Sequence, residues 1–297
     1  MSVAWPLVEA LPVARWKVHA IQAGGIKLDG GAMFGIVPKP LWERRISADE
    51  RNRIQLGMRC LIIEHEVGPV LVDTGLGNKE DAKFHDIYGV ENGGRGGRTR
   101  LEDGLLELGL RPEDVALVIL THLHFDHAGG STYREGGVVR PTFPRARYVV
   151  QRGEFEFASR PNERTAASYL PHNFQPLVDA GMLQFVDGDV EIAPGVTLVR
   201  TPGHTPWHQS VLLDAGNERV FFPADLFPTA AHVPLPWIMG YDVEPLVTLE
   251  TKRRILHQAK AENWLVVFEH DSRVSSGRIV HDGKGFLAVH GEREKSA

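Results

Sequence analysis

The 297-residue sequence predicts an α/β protein built in layers. Three observations carry that expectation. Short apolar runs rich in β-branched residues recur along the chain, each of strand length and bounded by turn or charged residues. Helical patterns fall between some of these runs. Several runs are apolar at consecutive positions, as strands buried on both faces are.

In chain order, strands are expected at 60–63, 70–72, 115–120, 148–150, 196–199, 211–213, 220–222 and 265–268. Residues 101–110 place Leu101, Leu105 and Leu108 on one helical face, with Gly109 as a stop. Residues 244–262 put Leu249, Leu256 and Ala259 on one face of a second helix and Lys252, Arg253 and Lys260 mostly elsewhere. The stretch 93–100, GGRGGRTR, is the most flexible-looking segment. It reads as a solvated loop, with an RNA-binding segment and an active-site lid as alternatives. No clean linker and no repeat divides the chain.

Composition narrows the function. The apolar share of 42% and charged share of 24% are those of a globular protein and exclude disordered, collagen-like and coiled-coil chains. A net charge of −5 leaves no basic footprint for nucleic acid, and no polybasic anchor points to a membrane. No run of about 18 apolar residues exists to cross a bilayer. Glu9 and Pro12 interrupt the N-terminal apolar stretch, which no basic segment precedes, so a signal peptide is not expected. Cys60 is the single cysteine, so no internal disulfide can form and a reducing compartment, the cytoplasm, is the simplest reading.

The 14 histidines are the unusual number. Residues 121–130 read THLHFDHAGG, which sets His122, His124, Asp126 and His127 within six positions after an apolar strand. If strand geometry continues, His122 and His124 share a face, because side chains repeat every two residues. Asp126 and His127 then lie on a turn and can point to a second position nearby. One metal cannot easily take four side chains so closely spaced, whereas two adjacent metals can. Imidazole and carboxylate without thiolate suit zinc, manganese, iron or cobalt. A lone structural zinc would need cysteines that the chain lacks. Further strand ends carry candidate ligands: Asp73 after 70–72, His204 after 196–199, Asp225 after 220–222, and Glu269, His270 and Asp271 after 265–268. Open α/β sheets gather sites at such carboxyl ends.

Asp73-Thr-Gly, THLHFDHAGG, TPGH at 201–204, Asp225 and His270 resemble, in order, the motifs of the metallo-β-lactamase superfamily. The resemblance spans about residues 55–275 and implies an αββα sandwich of two mixed sheets with metals at one edge. Within a single domain over 1–297, residues 1–54 would form an N-terminal extension with the first strands, and 55–275 the metal-binding core. The resemblance implies a first metal on His122, His124 and His204, a second on Asp126, His127 and His270, and Asp225 bridging both. It casts Asp73 as a residue that orients ligands. LVDTG, VQRGEFE at 150–156, the segment 187–206 and FEHD at 268–271 are similar to N-acyl-homoserine lactonases and organophosphate-hydrolysing relatives. Two departures stand out. Lactonases of that group carry a tyrosine three residues after the bridging aspartate, where this chain has Pro228, and Trp207 replaces a glycine. His208 reads as a supporting residue and not as a ligand.

The resulting expectation is a hydrolase with two divalent transition-metal ions, zinc foremost. A metal-bridging hydroxide would attack a small-molecule lactone or ester with an apolar group. Phosphotriester and thioester hydrolysis are alternatives, as is a non-hydrolytic di-iron redox protein, although His124 stands where di-iron relatives have glutamate. Asp126, Asp225 and His232 are the candidate catalytic residues. His232 lies in an apolar loop with Trp237 and Met239, where it is expected to contact substrate and replace the missing phenol. The apolar segment 31–42 is expected to line the same pocket or to bury itself against a second subunit in a homodimer.

Overall fold

A computed structural model describes residues 6–216 and 218–290. Residues 1–5, the start of the segment weighed above as a leader, lie outside the described residues.

The first half of the chain supplies β1 (Val8–Ala10), β2 (Val18–Asp29), β3 (Arg53–Ile63), β4 (Val70–Val72) and β5 (Leu117–Ile119). A separate hairpin, β6 (Thr132–Glu135) with β7 (Val138–Pro141), precedes β8 (Arg147–Gln151) and β9 (Leu183–Val186). The second half supplies β10 (Val190–Ala193), β11 (Val196–Arg200), β12 (Gln209–Asp214), β13 (Arg219–Phe222), β14 (Leu265–Val267), β15 (Ser276–His281) and β16 (Phe286–Val289). Among the described residues these make two seven-stranded sheets, ordered β1-β2-β3-β4-β5-β8-β9 and β10 through β16. Both are mixed: β4, β5, β8 and β9 run parallel in one, and β13 and β14 in the other.

The period-two alternation of β3 shows how the layers form. Leu61 and Ile63 point between the sheets, where they meet Val196, Leu198, Val211, Leu213 and Phe222 of the second sheet. Cys60 and Ile62 point the other way, onto a layer that includes Leu101, Leu105 and Leu177. The helices of that side are α1 (Gly30–Phe34), α2 (Lys39–Trp42), α3 (Ala82–Tyr88), α4 (Arg100–Glu107), α5 (Phe125–Ala128), α6 (Arg152–Ala158) and α7 (Gln175–Asp179). The outer face of the second sheet is covered by α8 (Pro245–Ala261), whose Ile255, Leu256 and Ala259 pack with Phe221, Val266 and Trp264. The architecture is the expected αββα sandwich. Among the described residues no helix is long and apolar enough to cross a membrane.

Several sequence expectations change. Strand β2 falls in the 1–54 segment expected to hold the first strands, without bounds having been set for it; Gly24-Gly25 marks a register shift within this one long strand. Gly24 sits at φ 146°, and a Cβ there would lie 2.7 Å from Asn92 Cβ. The Gly/Arg stretch is mostly solvent-exposed, as expected of a solvated loop, and forms a hydrogen-bonded turn that leads into α4. Arg95 N and Arg98 Nε donate to the Asp103 carboxylate, and Thr99 with Glu102 closes a capping box. Segment 31–42 turns Met33, Phe34 and Trp42 into its own chain's core, while Ile36 and Leu41 stay exposed.

Lys252 was expected on the polar face of α8 but is fully buried. Its ammonium donates to the carbonyls of His232 (2.7 Å), Trp237 (2.8 Å) and Pro234 (3.0 Å). Burial pulls its pKa down to about 7, against the attraction of Asp242. It thereby pins the 232–237 loop from below.

Candidate metal centre

Parallel pairing brings the strand ends to one edge. Because β4 and β5 are parallel neighbours, Asp73 emerges beside the chain that leads from Ile119 into His122–His127. Because β13 and β14 are parallel, Asp225 emerges beside His270. Strand β11 is two antiparallel steps from β13, so it runs the same way and delivers His204 to the same edge.

Asp73 organises the first of these turns. Its backbone is held at φ 56°, and its carboxylate accepts from Thr121 N (2.8 Å), Thr121 Oγ1 (2.6 Å) and His127 Nδ1 (3.1 Å). The Thr121 hydroxyl, having given its proton to Asp73, is left to accept from His122 Nδ1 at 3.1 Å. One carboxylate thus orients two imidazoles. The glycines of HAGG answer a packing need: a Cβ on Gly130 would lie 2.0 Å from Thr74 O.

Three groups of donors result; Asp73 and Glu269 form one around His127 Nδ1, and the other two open inward. His122, His124, His204 and Asp225 each offer an atom within 4.8 Å of the others, and Asp126, His127 and His270 do the same. Asp225 stands between these two. Its Oδ2 is 3.0 Å from His204 Nε2 and 3.6 Å from His127 Nε2, and its Oδ1 is 3.1 Å from His270 Nε2. All seven expected ligands therefore meet at one place, and each is buried.

The outward nitrogens are already committed. His204 Nδ1 donates to Asp242 (2.9 Å) and His270 Nδ1 to Gly57 O (2.7 Å). With His122 and His127 held as above, the Nε2 atoms of all four turn inward as lone-pair donors, the arrangement metal-binding histidines use. His124 is reversed and turns Nδ1 inward, 3.1 Å from His204 Nε2. His127 and His270 likewise face each other through Nε2 at 3.1 Å. Lone pairs that close repel unless a cation lies between them. His122 Nε2 and Asp225 Oδ1 are also buried with no hydrogen-bond partner. The donor set therefore fits transition-metal cations, and its imidazoles and carboxylates are those expected for zinc, manganese, cobalt or iron.

The electrostatics point the same way. Burial lowers His204 and His270, yet the Asp225 carboxylate outweighs it and raises them to about 10 and about 9. Burial and the neighbouring imidazoles push His122 and His124 well below the usual histidine range. The cluster attracts positive charge but cannot protonate throughout.

His208 and His232 stand apart from the two groups. His208 Nε2 accepts from Asp225 N (3.3 Å) and its Nδ1 meets Thr201 Oγ1 (2.8 Å), so it supports the Asp225 turn. The expectation for His232 is corrected by its surroundings. Its Nε2 meets Met33 O and its Nδ1 meets Thr229 Oγ1, both at 2.8 Å, and its ring stacks on Phe34 at 4.5 Å. With 1% exposure and both ring nitrogens engaged, it has nothing to offer a substrate. It joins the N-terminal segment to the 232–237 loop. Trp207, the other departure, lies under the Arg200 guanidinium at 4.5 Å.

Sequence reasoning missed Asp242 and Glu154. It named Glu269 only as a strand-end candidate. Glu269 is buried with its Oε1 3.1 Å from His127 Nδ1, on the atom that Asp73 also takes. Burial, reinforced by Asp73, raises Glu269 to about 8. An acidic residue next to a metal-ligand motif was the available signal for Glu269; Glu154 lay inside the lactonase-like segment 150–156 without a role being given to it, and no local pattern marked Asp242.

Known proteins resemble this chain in sequence and fold. The model of the Metallo-beta-lactamase superfamily matches residues 59–270. An N-acyl homoserine lactonase of Bacillus thuringiensis is 31% identical over 266 residues, covering 86% of this chain and 93% of the relative. The crystal structure of a probable metal-dependent hydrolase from Staphylococcus aureus superposes with TM-score 0.83 at 28% identity, over 95% of this chain and all of that one. An N-acyl homoserine lactone hydrolase solved with N-hexanoyl-L-homoserine at its catalytic metal centre gives TM-score 0.65 at 26% identity, over 87% of this chain and 94% of that one. Layers, motif order and relatives agree, and the chain belongs to the metallo-beta-lactamase superfamily as a metal-dependent hydrolase.

Proposed function

We propose that this enzyme hydrolyses a lactone or ester bearing an apolar group, with two divalent transition-metal ions, zinc foremost, held by its two donor groups. The observation that carries the reading is Asp225, whose two oxygens reach the inward nitrogens of both groups. His122, His124 and His204 would hold one ion, Asp126, His127 and His270 the other, with Asp225 shared. Such ions, when bound, make water a nucleophile at neutral pH and polarise a carbonyl or phosphoryl oxygen. The chain itself then has to bind, orient and shield the substrate.

The walls suit that task. Phe125 lies between two donor residues in sequence and joins an apolar cluster with Met33, Phe34, Met239, Tyr88 and Trp237. Tyr88 packs on Phe125 with ring centroids 5.0 Å apart. Of these, Met33, Phe34 and Met239 are core, and the half-buried Tyr88 and Trp237 are the members an acyl or aryl group would meet. Orientation cannot come from the residues after Asp225, since Leu226 and Phe227 are turned into the core. The phenols of Tyr88 and Tyr241 are the donors nearest in character. Burial raises both, and each also feels the Asp126 carboxylate.

A panel of lactones, aryl esters and phosphotriesters with the metal-loaded protein tests the reading. Lactones and aryl esters should turn over, with phosphotriesters slower. Turnover of none of the three classes by protein carrying both ions would overturn it.

A further inference from the structure

Glu154 is a carboxylate the mechanism above does not use, and it is fully buried. It stands in the first turn of α6, far along the chain from any donor residue. Its Oε1 accepts from Leu123 N (3.1 Å) and from the Tyr169 hydroxyl (3.0 Å), and its Oε2 accepts from Thr205 Oγ1 (2.6 Å). Leu123 lies between His122 and His124. Thr205 follows His204. The ring of Tyr169 packs against that of His124, with centroids 4.7 Å apart. A single side chain thus ties together the two loops that carry three histidines of one donor group. No hydrogen bond joins it to Asp126, His127 or His270 among the described residues.

The geometry points to Glu154 as the positioning residue of the three-histidine site, the strut that sets the spacing of His122, His124 and His204 for one of the two ions. This rests on the two-ion reading above. A strut of this kind acts on one site and spares the other. Its role is separable from its charge. In Glu154→Gln the amide oxygen still accepts from Leu123 N and Tyr169, while the amide N–H donates to a Thr205 hydroxyl turned to accept. Glu154→Ala loses all three bonds, and Thr205→Val loses one.

The test is stepwise zinc binding in competition with a chromophoric chelator. His124→Ala and His270→Ala identify which step belongs to which group. Glu154→Ala should weaken the three-histidine step by roughly tenfold or more, in the range outer-shell partners command, and leave the other step within about threefold. Glu154→Gln should stay within about threefold at both steps, and Thr205→Val should weaken the three-histidine step alone by a few fold. A general loss of stability would not divide the two steps in this way. The inference is overturned if wild type takes up two ions and Glu154→Ala weakens both steps equally or neither. It is also overturned if Glu154→Gln is as damaging as Glu154→Ala. Should Glu154→Ala not fold, Thr205→Val decides, and wild-type binding at the three-histidine step then contradicts the strut. Wild-type protein that takes up fewer than two ions removes the two-ion reading itself, and the strut with it.

Discussion

Asp225→Ala is expected to lower kcat/KM on any substrate of this enzyme by roughly a thousandfold or more, about 4 kcal/mol of transition-state stabilisation. The expectation follows from position. Among the described residues Asp225 is the one carboxylate whose oxygens approach inward nitrogens of both donor groups, at 3.0 Å to His204 and 3.1 Å to His270. Its removal leaves His122, His124 and His204 without the carboxylate of their own donor group, and Asp126 stands only with His127 and His270. Alanine can also neither bridge nor offset the charge of two cations. Asp73→Asn is the informative comparison, since Asp73 too is a buried acid at a strand end. Asparagine can still accept from Thr121, so the loss there should be about 10–100-fold, as for other residues that orient ligands. Steady-state kinetics of the two variants with measured metal content separates the roles. Asp225→Ala with parent-like kinetics and both ions retained would refute the sharing.

Removal of metal is the second large effect. Dialysis against a chelator should abolish hydrolysis and lower the melting temperature by roughly 10 °C. Ligand present at a thousand times its dissociation constant contributes about 4 kcal/mol to stability, and each kcal/mol is worth about 2–4 °C in a chain of this order of size. The physical source is the facing nitrogen pairs, His204 with His124 and His127 with His270, both at 3.1 Å. Without a metal cation each pair has to take up a proton instead, drawn to His204 and His270 by Asp225. Adding back zinc should restore both activity and melting temperature. Full activity in chelated, metal-free protein would contradict the metal-dependent reading of the cluster.

The parts of the molecule that were legible in its sequence were those written locally. The apolar strands end in Asp73, His122, His204, Asp225 and His270, and parallel pairing carries such ends to one edge of the sandwich. The metal motifs are therefore readable as a line of text, because strand direction alone converts sequence order into proximity. What was not legible depends on contacts between distant segments. His232 sits in an apolar loop next to plausible pocket residues, yet it is Met33, 199 positions away, that takes its ring nitrogen. Lys252 has the pattern of an exposed helical lysine, and only the folded loop shows the carbonyls that cage it. Asp242 is an ordinary acid in sequence and Glu154 only one letter of a lactonase-like segment; their partners His204 and Thr205 lie 38 and 51 positions away. Strand β2 was placed only broadly, among the first strands of 1–54, and its register shift at Gly24-Gly25 shows only in the pairing with β3.

The central claim is that seven buried donors form two adjoining cation sites with Asp225 between them. Elemental analysis of protein purified without chelator and then equilibrated with zinc tests it most directly. The proposed two-ion centre requires two ions per chain, and one in His270→Ala. A ratio of one or less in the wild-type protein, unchanged by added metal, would contradict the claim.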